Sequence, residues 1–153
     1  MARQGVIKRL GAIDYAAERT FFVTFCVKDR ARVFADPHIA SIMRDVVLRY
    51  RSAGWFWLLC YCIMPDHVHL LLKLRTQQRT LARVIATIKN RTTYLSRACG
   101  TDIKWQWGFH DRAKREHETA DDYPRYILEN PVRGGLVGEY PDYPFCGIVD
   151  YWN

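Results

Sequence analysis

Two strongly apolar runs, Trp55–Met64 and His67–Leu74, are separated only by Pro65 and Asp66. Neither approaches the roughly 18 uncharged apolar residues of a membrane-spanning helix. Both have the length and the leucine, aromatic and β-branched content of buried strands. Strands joined so tightly pair antiparallel, because a parallel pair needs a crossover of a dozen or more residues. A buried antiparallel hairpin is therefore the expected centre of the fold. Tight two-residue turns favour positive φ, which proline cannot adopt. The pairing is accordingly expected to differ from the register that would set Cys62 opposite His69.

The flanking sequence extends this hairpin into an α+β domain. Thr20–Val27 reads as a first strand, and Asp36-Pro37 introduces a helix whose stripe is Ile39, Ile42, Met43, Val46, Val47 and Tyr50, closed by Gly54. A second helix is expected from Thr80 to Ala98, with Leu81, Val84, Ile85, Ile88 and Tyr94 inward. Ile103–Phe109 reads as a short fourth strand. A third helix begins near Thr119–Asp122 and ends around Asn130-Pro131. The order β-α-β-β-α-β-α matches in its first six elements the ferredoxin-like split βαβ arrangement, an antiparallel sheet with helices on one face. The added C-terminal helix carries a tyrosine.

With 153 residues and 49% hydrophobic content, one domain over 1–153 is expected. The N-terminus lacks the apolar run of a secretory signal, which points to a soluble cytoplasmic, nucleoid-associated protein with no membrane partner. Five cysteines without a CxxC spacing read as free thiols. A net charge of +7 with interleaved aromatics suits a surface that tracks phosphates, although a solvated basic surface has the same composition.

Two constellations carry chemistry. On a strand, His67, His69 and Leu71 share one face, and imidazoles roughly 7 Å apart at Cα can converge on one cation. The alternative is a pair of structural histidines satisfied within the hairpin. A second metal reading joins Cys60 and Cys62 to the histidines as structural zinc. On the last helix, Tyr126 and Asn130 are four apart and share a face, so a phenol and an amide oxygen can act together. The alternative there is a tyrosine packed on the sheet and an asparagine ending the helix before Pro131. Tyr123 lies one turn earlier and is easily confused with Tyr126.

Met64-Pro65-Asp66-His67-Val68-His69-Leu70-Leu71, Trp105-Gln106 with Phe109-His110-Asp111-Arg112, Tyr126-Ile127 with Asn130-Pro131-Val132 and Gly135-Leu136-Val137, and Tyr143-Pro144-Phe145 occur in this order. Together they resemble the single-tyrosine HUH transposases, in particular the subgroup associated with repetitive extragenic palindromes (REP). The resemblance implies a divalent cation held by His67 and His69 and completed by Asn130. It also implies Tyr126 as the nucleophile, which attacks a DNA phosphate and stays joined to the 5′ side of the break. The wider family works as dimers, whereas this subgroup acts as a monomer, so both states stay open. Asp66 stands where many relatives carry asparagine, and Gly134-Gly135 replaces a more usual small pair.

A free tyrosine has a pKa of about 10 and is a poor nucleophile unaided. A cation that polarises the phosphate supplies that help, and magnesium or manganese is expected. The substrate is expected to be single-stranded or hairpin DNA. Arg79, Arg83, Lys89 and Arg91 on the second helix, with Arg112 and Arg115 further on, are the expected phosphate contacts. Trp105, Trp107 and Phe109 can stack on bases, but their alternation fits core packing better. Three rivals remain: a non-catalytic ferredoxin-like single-stranded nucleic-acid-binding protein, a structural zinc protein, and a nuclease that uses water.

Overall fold

The computed structural model describes residues 20–75, 78–113 and 122–150. The chain forms β1 (Thr20–Cys26), α1 (Pro37–Ser52), β2 (Phe56–Ile63), β3 (His67–Leu74), α2 (Leu81–Arg97), β4 (His110–Ala113), α3 (Asp122–Leu128), α4 (Asn130–Arg133) and β5 (Cys146–Ile148). The strands lie in the order β4-β1-β3-β2-β5, with every neighbouring pair antiparallel. The first four strands with α1 and α2 make the expected ferredoxin-like split βαβ unit.

Strand alternation divides the interior in two. Val68, Leu70 and Leu72 of β3 point into the main core with Val23 and Phe25, and there they meet Ile39, Met43 and Val46 of α1 and Val84, Ile85 and Ile88 of α2. Leu71 points the other way, into a smaller cluster of Leu59, Cys60, Cys62, Met64, Tyr123 and Ile127. Both long helices therefore cover one face, and α3 docks on the opposite one. Each long helix starts on a side-chain cap: Asp36 accepts from the His38 N–H at 2.9 Å and Thr80 from the Arg83 N–H at 3.1 Å. Such caps contribute about 1 kcal/mol each.

The hairpin register corrects the expectation. Cys62 does pair with His69, and the Met64 N–H donates to the His67 carbonyl at 2.8 Å across Pro65-Asp66. Among the described residues the positive-φ non-glycines are only Asp29 and Arg30, so the turn closes without the backbone that proline forbids. Contacts from outside the hairpin hold it. The Phe34 N–H donates to the Pro65 carbonyl at 2.9 Å and the Val27 N–H to the Asp66 carbonyl at 3.0 Å. These satisfied carbonyls offset the splay that an unprimed turn imposes.

Three further expectations are shifted. The fourth strand is His110–Ala113 rather than Ile103–Phe109, which contributes only a bridge from Trp105 to Val27. The reason is Lys89, a buried lysine whose ammonium takes the carbonyls of Gln106 at 3.2 Å and Gly108 at 2.5 Å and turns them toward α2. Tyr94, placed in the core stripe, is 66% exposed. The last helix breaks at Glu129 into α3 and α4, because Pro131 has no N–H to continue the ladder.

Strand β5 had no counterpart in the sequence reading. It adds to β2, and the segment around it is tied down by side chains. The Tyr143 hydroxyl donates to the Ile63 carbonyl at 2.5 Å, and the Ile63 N–H to the Phe145 carbonyl at 2.8 Å. Asp150 is 8% exposed; it accepts from the Leu58 N–H at 2.8 Å and pairs with Arg51 through two hydrogen bonds beside the bulge at Leu58/Cys60. Asp150→Ala leaves that N–H buried without a partner, which costs about 1–3 kcal/mol. A fall in Tm of about 3–10 °C in a thermal melt is the expected result, and an unchanged melt would show that the carboxylate does not hold the bulge.

Candidate catalytic site on the second face of the sheet

Directly paired residues on neighbouring strands face the same way. His110 of β4, Thr24 of β1, His69 of β3, Cys62 of β2 and Cys146 of β5 therefore form one row across the second face. The next row in one direction holds Phe22, Leu71 and Cys60, and in the other Cys26 pairs with His67. A rigid sheet thus presents both histidines beneath the docked α3.

Each imidazole is oriented through Nδ1. His67 Nδ1 lies 2.6 Å from Asp66 Oδ1, while Arg30 Nε donates to Asp66 Oδ2 at 2.9 Å. At that distance the carboxylate holds the proton on Nδ1. Arg30 Nη2, 3.4 Å from the same nitrogen, then has no lone pair to use there. Burial pushes the Asp66 carboxyl up, but hydrogen bonds from His67 and Arg30 outweigh it and keep the group below the ordinary carboxylate value. His69 Nδ1 contacts the Thr24 hydroxyl at 2.8 Å. Burial, followed by the charges of His67, Arg133 and Arg30, pushes His69 down to about 3, so it is a neutral imidazole at pH 7. The rings lie 4.8 Å apart at 86°. With Nδ1 engaged on both, the two Nε2 atoms remain for a ligand, which is how metal-binding histidines are commonly oriented.

The tyrosines on α3 divide sharply. Tyr123 is 5% exposed and packs with Ile127 against Leu59, Cys62 and Leu71. A seven-residue helix is unstable alone, so this burial is what fixes it. Tyr126 is 50% exposed, with its ring 6.1 Å from His69 and 5.8 Å from Phe22. Arg133 stacks its guanidinium over that ring at 4.1 Å and donates to the Tyr126 carbonyl at 2.6 Å. Asn130 opens α4 one turn later, and its amide Nδ2 is buried with no hydrogen-bond partner. A half-turn of the amide puts a carbonyl oxygen in that place. Two imidazole nitrogens on one sheet face and an unsatisfied amide one turn after Tyr126 are groups of the chemical kind that a divalent cation takes as ligands.

Cys60 and Cys62, on which the zinc reading rests, are buried thiols: burial drives the Cys60 thiol well up, and a hydrogen bond with Cys146, then burial, does the same for Cys62. Among the described residues no three His, Cys, Asp or Glu side chains are grouped to hold a metal.

A profile of the family described as "Transposase IS200 like" matches residues 18–129, well over half of the chain. The chain belongs to that family. A Haemophilus influenzae relative of this transposase is 27% identical over 88% of the chain and 82% of its own length. The Escherichia coli REP-associated tyrosine transposase is 24% identical over 86% of the chain and 77% of its own length. A solved structure of a REP-associated tyrosine transposase bound to a REP hairpin superposes with a TM-score of 0.67 at 26% identity, covering 84% of this chain and 75% of that one. The resemblance to REP-associated tyrosine transposases therefore holds across sequence and structure, and this is an enzyme of that kind. His67, His69 and Tyr126 fall inside the matched span, and Asn130 lies one residue beyond it.

The expected phosphate contacts are spread differently from the histidines. In this transposase α2 lies on the far face, so Arg79, Arg83 and Arg91 are across the sheet from His67 and His69. Arg79 stacks on Trp55 at 4.1 Å. Arg83 and Arg91 line an open groove of about 360 Å³ with Tyr50 and Tyr94. Lys89 is turned inward onto backbone carbonyls and is not presented to a phosphate. Arg112 takes register opposite Phe22 on β4, and Arg115 lies outside the described residues. The sequence reading assigned no role to Thr24, Arg30 or Arg133. The first two reach the histidines through pairing and loop geometry that spacing does not encode.

Arg133 touches the tyrosine directly and reaches His69 only through its charge. Arg133→Ala frees the ring it covers and the carbonyl it holds, and an ångström of misplacement can cost on the order of 10²-fold in rate. Single-turnover cleavage is expected to slow about 10- to 100-fold with DNA affinity changed less than about threefold. An equal loss in both would make Arg133 a DNA contact instead.

Proposed function

We propose that this transposase nicks and rejoins single-stranded or hairpin DNA through a covalent 5′-phosphotyrosine on Tyr126, with magnesium or manganese held by His67, His69 and Asn130. One observation carries the reading: two histidines with Nδ1 engaged and Nε2 free lie on one sheet face beside a half-exposed tyrosine, with the rings of His69 and Tyr126 6.1 Å apart. The solved relative bound to a REP hairpin supports DNA of that form as the partner.

A bound cation polarises the scissile phosphate and offsets the charge that builds on its oxygens. The chain supplies everything else. Asp66 and Thr24 hold the imidazoles in orientation, while Phe22 and Arg133 confine the Tyr126 ring. The Tyr126 oxygen forms a bond to phosphorus as the bond to the 3′-oxygen breaks. The phenol releases its proton to solvent and the departing 3′-oxygen takes one up from solvent, which leaves a 3′-hydroxyl. Attack by a 3′-hydroxyl on the phosphotyrosine reverses the step, so the phosphodiester energy is retained for joining.

Within a single chain the rings of His69 and Tyr126 lie 6.1 Å apart, so no exchange of α3 with a second copy is needed to bring them together. Arg83 and Arg91 line a groove on the far side of the sheet from the histidines, which supports a role on a stem that extends past the sheet rather than on the scissile phosphate. Among the described residues no helix is long and apolar enough to cross a membrane. The test is cleavage of hairpin-bearing single-stranded DNA with manganese, run on a denaturing protein gel. A cation-dependent, DNA-shifted protein band supports the reading. Cation-dependent cleavage without that band contradicts it.

A further inference from the structure

We propose that the Gln106–His110 loop is a binding subsite for an unpaired nucleobase of the strand that enters the catalytic site, with Trp107 as its stacking platform. This rests on the reading of the site as a single-stranded DNA nuclease. Trp107 is 96% exposed, the most exposed of the large hydrophobic side chains among the described residues, whereas its neighbours Trp105 and Phe109 pack against the core. An indole displayed in this way is not explained by folding. The loop around it is held firmly: Gly108 takes φ +76°, and the Lys89 ammonium clamps the carbonyls on both sides of Trp107 from beneath. The backbone that carries the indole is thus fixed before binding, so stacking of a base need order only the side chain itself.

Its position connects it to the chemistry. Trp107 borders two hollows, one of about 450 Å³ lined with Ala86, Lys89 and Asn90 of α2 and one of about 220 Å³ lined with Thr24, Cys26 and His110. The smaller hollow touches the catalytic residues through side chains already placed. The Thr24 hydroxyl contacts His69, and Cys26 Sγ accepts from Arg30, which in turn holds Asp66. The indole therefore marks the sheet edge where a strand leaving the histidines passes toward α2. Stacking on an indole is tolerant of sequence because every base has a π-face, and it requires that the base be unpaired. Gln106 and His110, both exposed beside the platform, supply an amide and an imidazole for the edge of that base.

The test is the affinity of Trp107→Ala and Trp107→Phe for a short single-stranded deoxyadenylate oligomer and for a blunt duplex of equal length, without cation so that nothing is cut. Trp107 has almost no buried surface to lose, so both variants are expected to melt with the wild type. Trp107→Ala should bind the single strand about 5- to 150-fold more weakly, the range that base–aromatic stacking supplies. Trp107→Phe should stay within about threefold, and duplex affinity should not change. Unchanged single-strand affinity in Trp107→Ala, an equal loss on duplex, or no binding of the single strand by wild type would each overturn the subsite. The covalent-band assay is independent of this measurement. A missing band with the stacking loss present removes the tyrosine mechanism and keeps the subsite, and the reverse pattern does the opposite.

Discussion

Tyr126→Phe is expected to abolish the covalent protein–DNA band and to lower DNA cleavage on the order of 10⁴-fold, while leaving the melt and DNA affinity unchanged. The substitution is clean because it removes only the hydroxyl. The ring keeps its packing on Phe22, its approach to His69 and its stacking under Arg133. At about 1.36 kcal/mol per decade the loss corresponds to roughly 5–6 kcal/mol of transition-state stabilisation, as expected for a nucleophile that forms the new bond. No nearby group on α3 replaces it, since Tyr123 is 5% exposed and packed in the smaller core. Cleavage by Tyr126→Phe at the wild-type rate would mean that water attacks the phosphate, and the site would then be a hydrolytic nuclease.

His67→Ala and His69→Ala are each expected to lower manganese-dependent cleavage about 10³-fold or more, and the double variant to be little worse than either single one. Ligands of one cation act as a unit, so their losses do not add. The two differ in what they do to the fold. His67 is partly accessible and its loss mainly frees Asp66 and Arg30. His69 is 6% exposed, and its removal leaves a void beside Phe22 and a Thr24 hydroxyl without its partner. A loss of about 1–3 kcal/mol in stability is expected for His69→Ala alone. Calorimetric titration with manganese checks the ligand role directly. Cation affinity unchanged in both variants would place the cation elsewhere.

Much of this arrangement was legible in the residues. The alternation of His67-Val68-His69-Leu70 fixes which side chains share a face once the segment is a strand, and two residues between apolar runs fix the antiparallel hairpin. Both are local rules. The hairpin register was missed because it is set by Phe34 and Val27, which reach the turn carbonyls from remote parts of the chain. The fourth strand was misplaced because Trp105, Trp107 and Phe109 alternate like a strand, whereas the pairing stops after the Trp105–Val27 bridge, where the inward Lys89 takes the carbonyls of Gln106 and Gly108. Lys89 itself read as a surface cation, since composition and helical position say nothing of a carbonyl waiting beneath it. The choice between Tyr123 and Tyr126 depends on which side of α3 meets Leu71 and Cys62, a packing fact rather than a spacing.

The most direct measurement is mass spectrometry of the trapped adduct after digestion with nuclease and trypsin. Trypsin cuts after Arg125 and Arg133, so Tyr126 is released in the peptide Tyr126–Arg133 and Tyr123 in the preceding one. The expected result is a nucleotide joined through its 5′-phosphate to Tyr126 in that peptide. A nucleotide on the peptide that carries Tyr123, a linkage through a 3′-phosphate, or an adduct at any residue outside α3 would contradict the assignment of Tyr126 as the nucleophile.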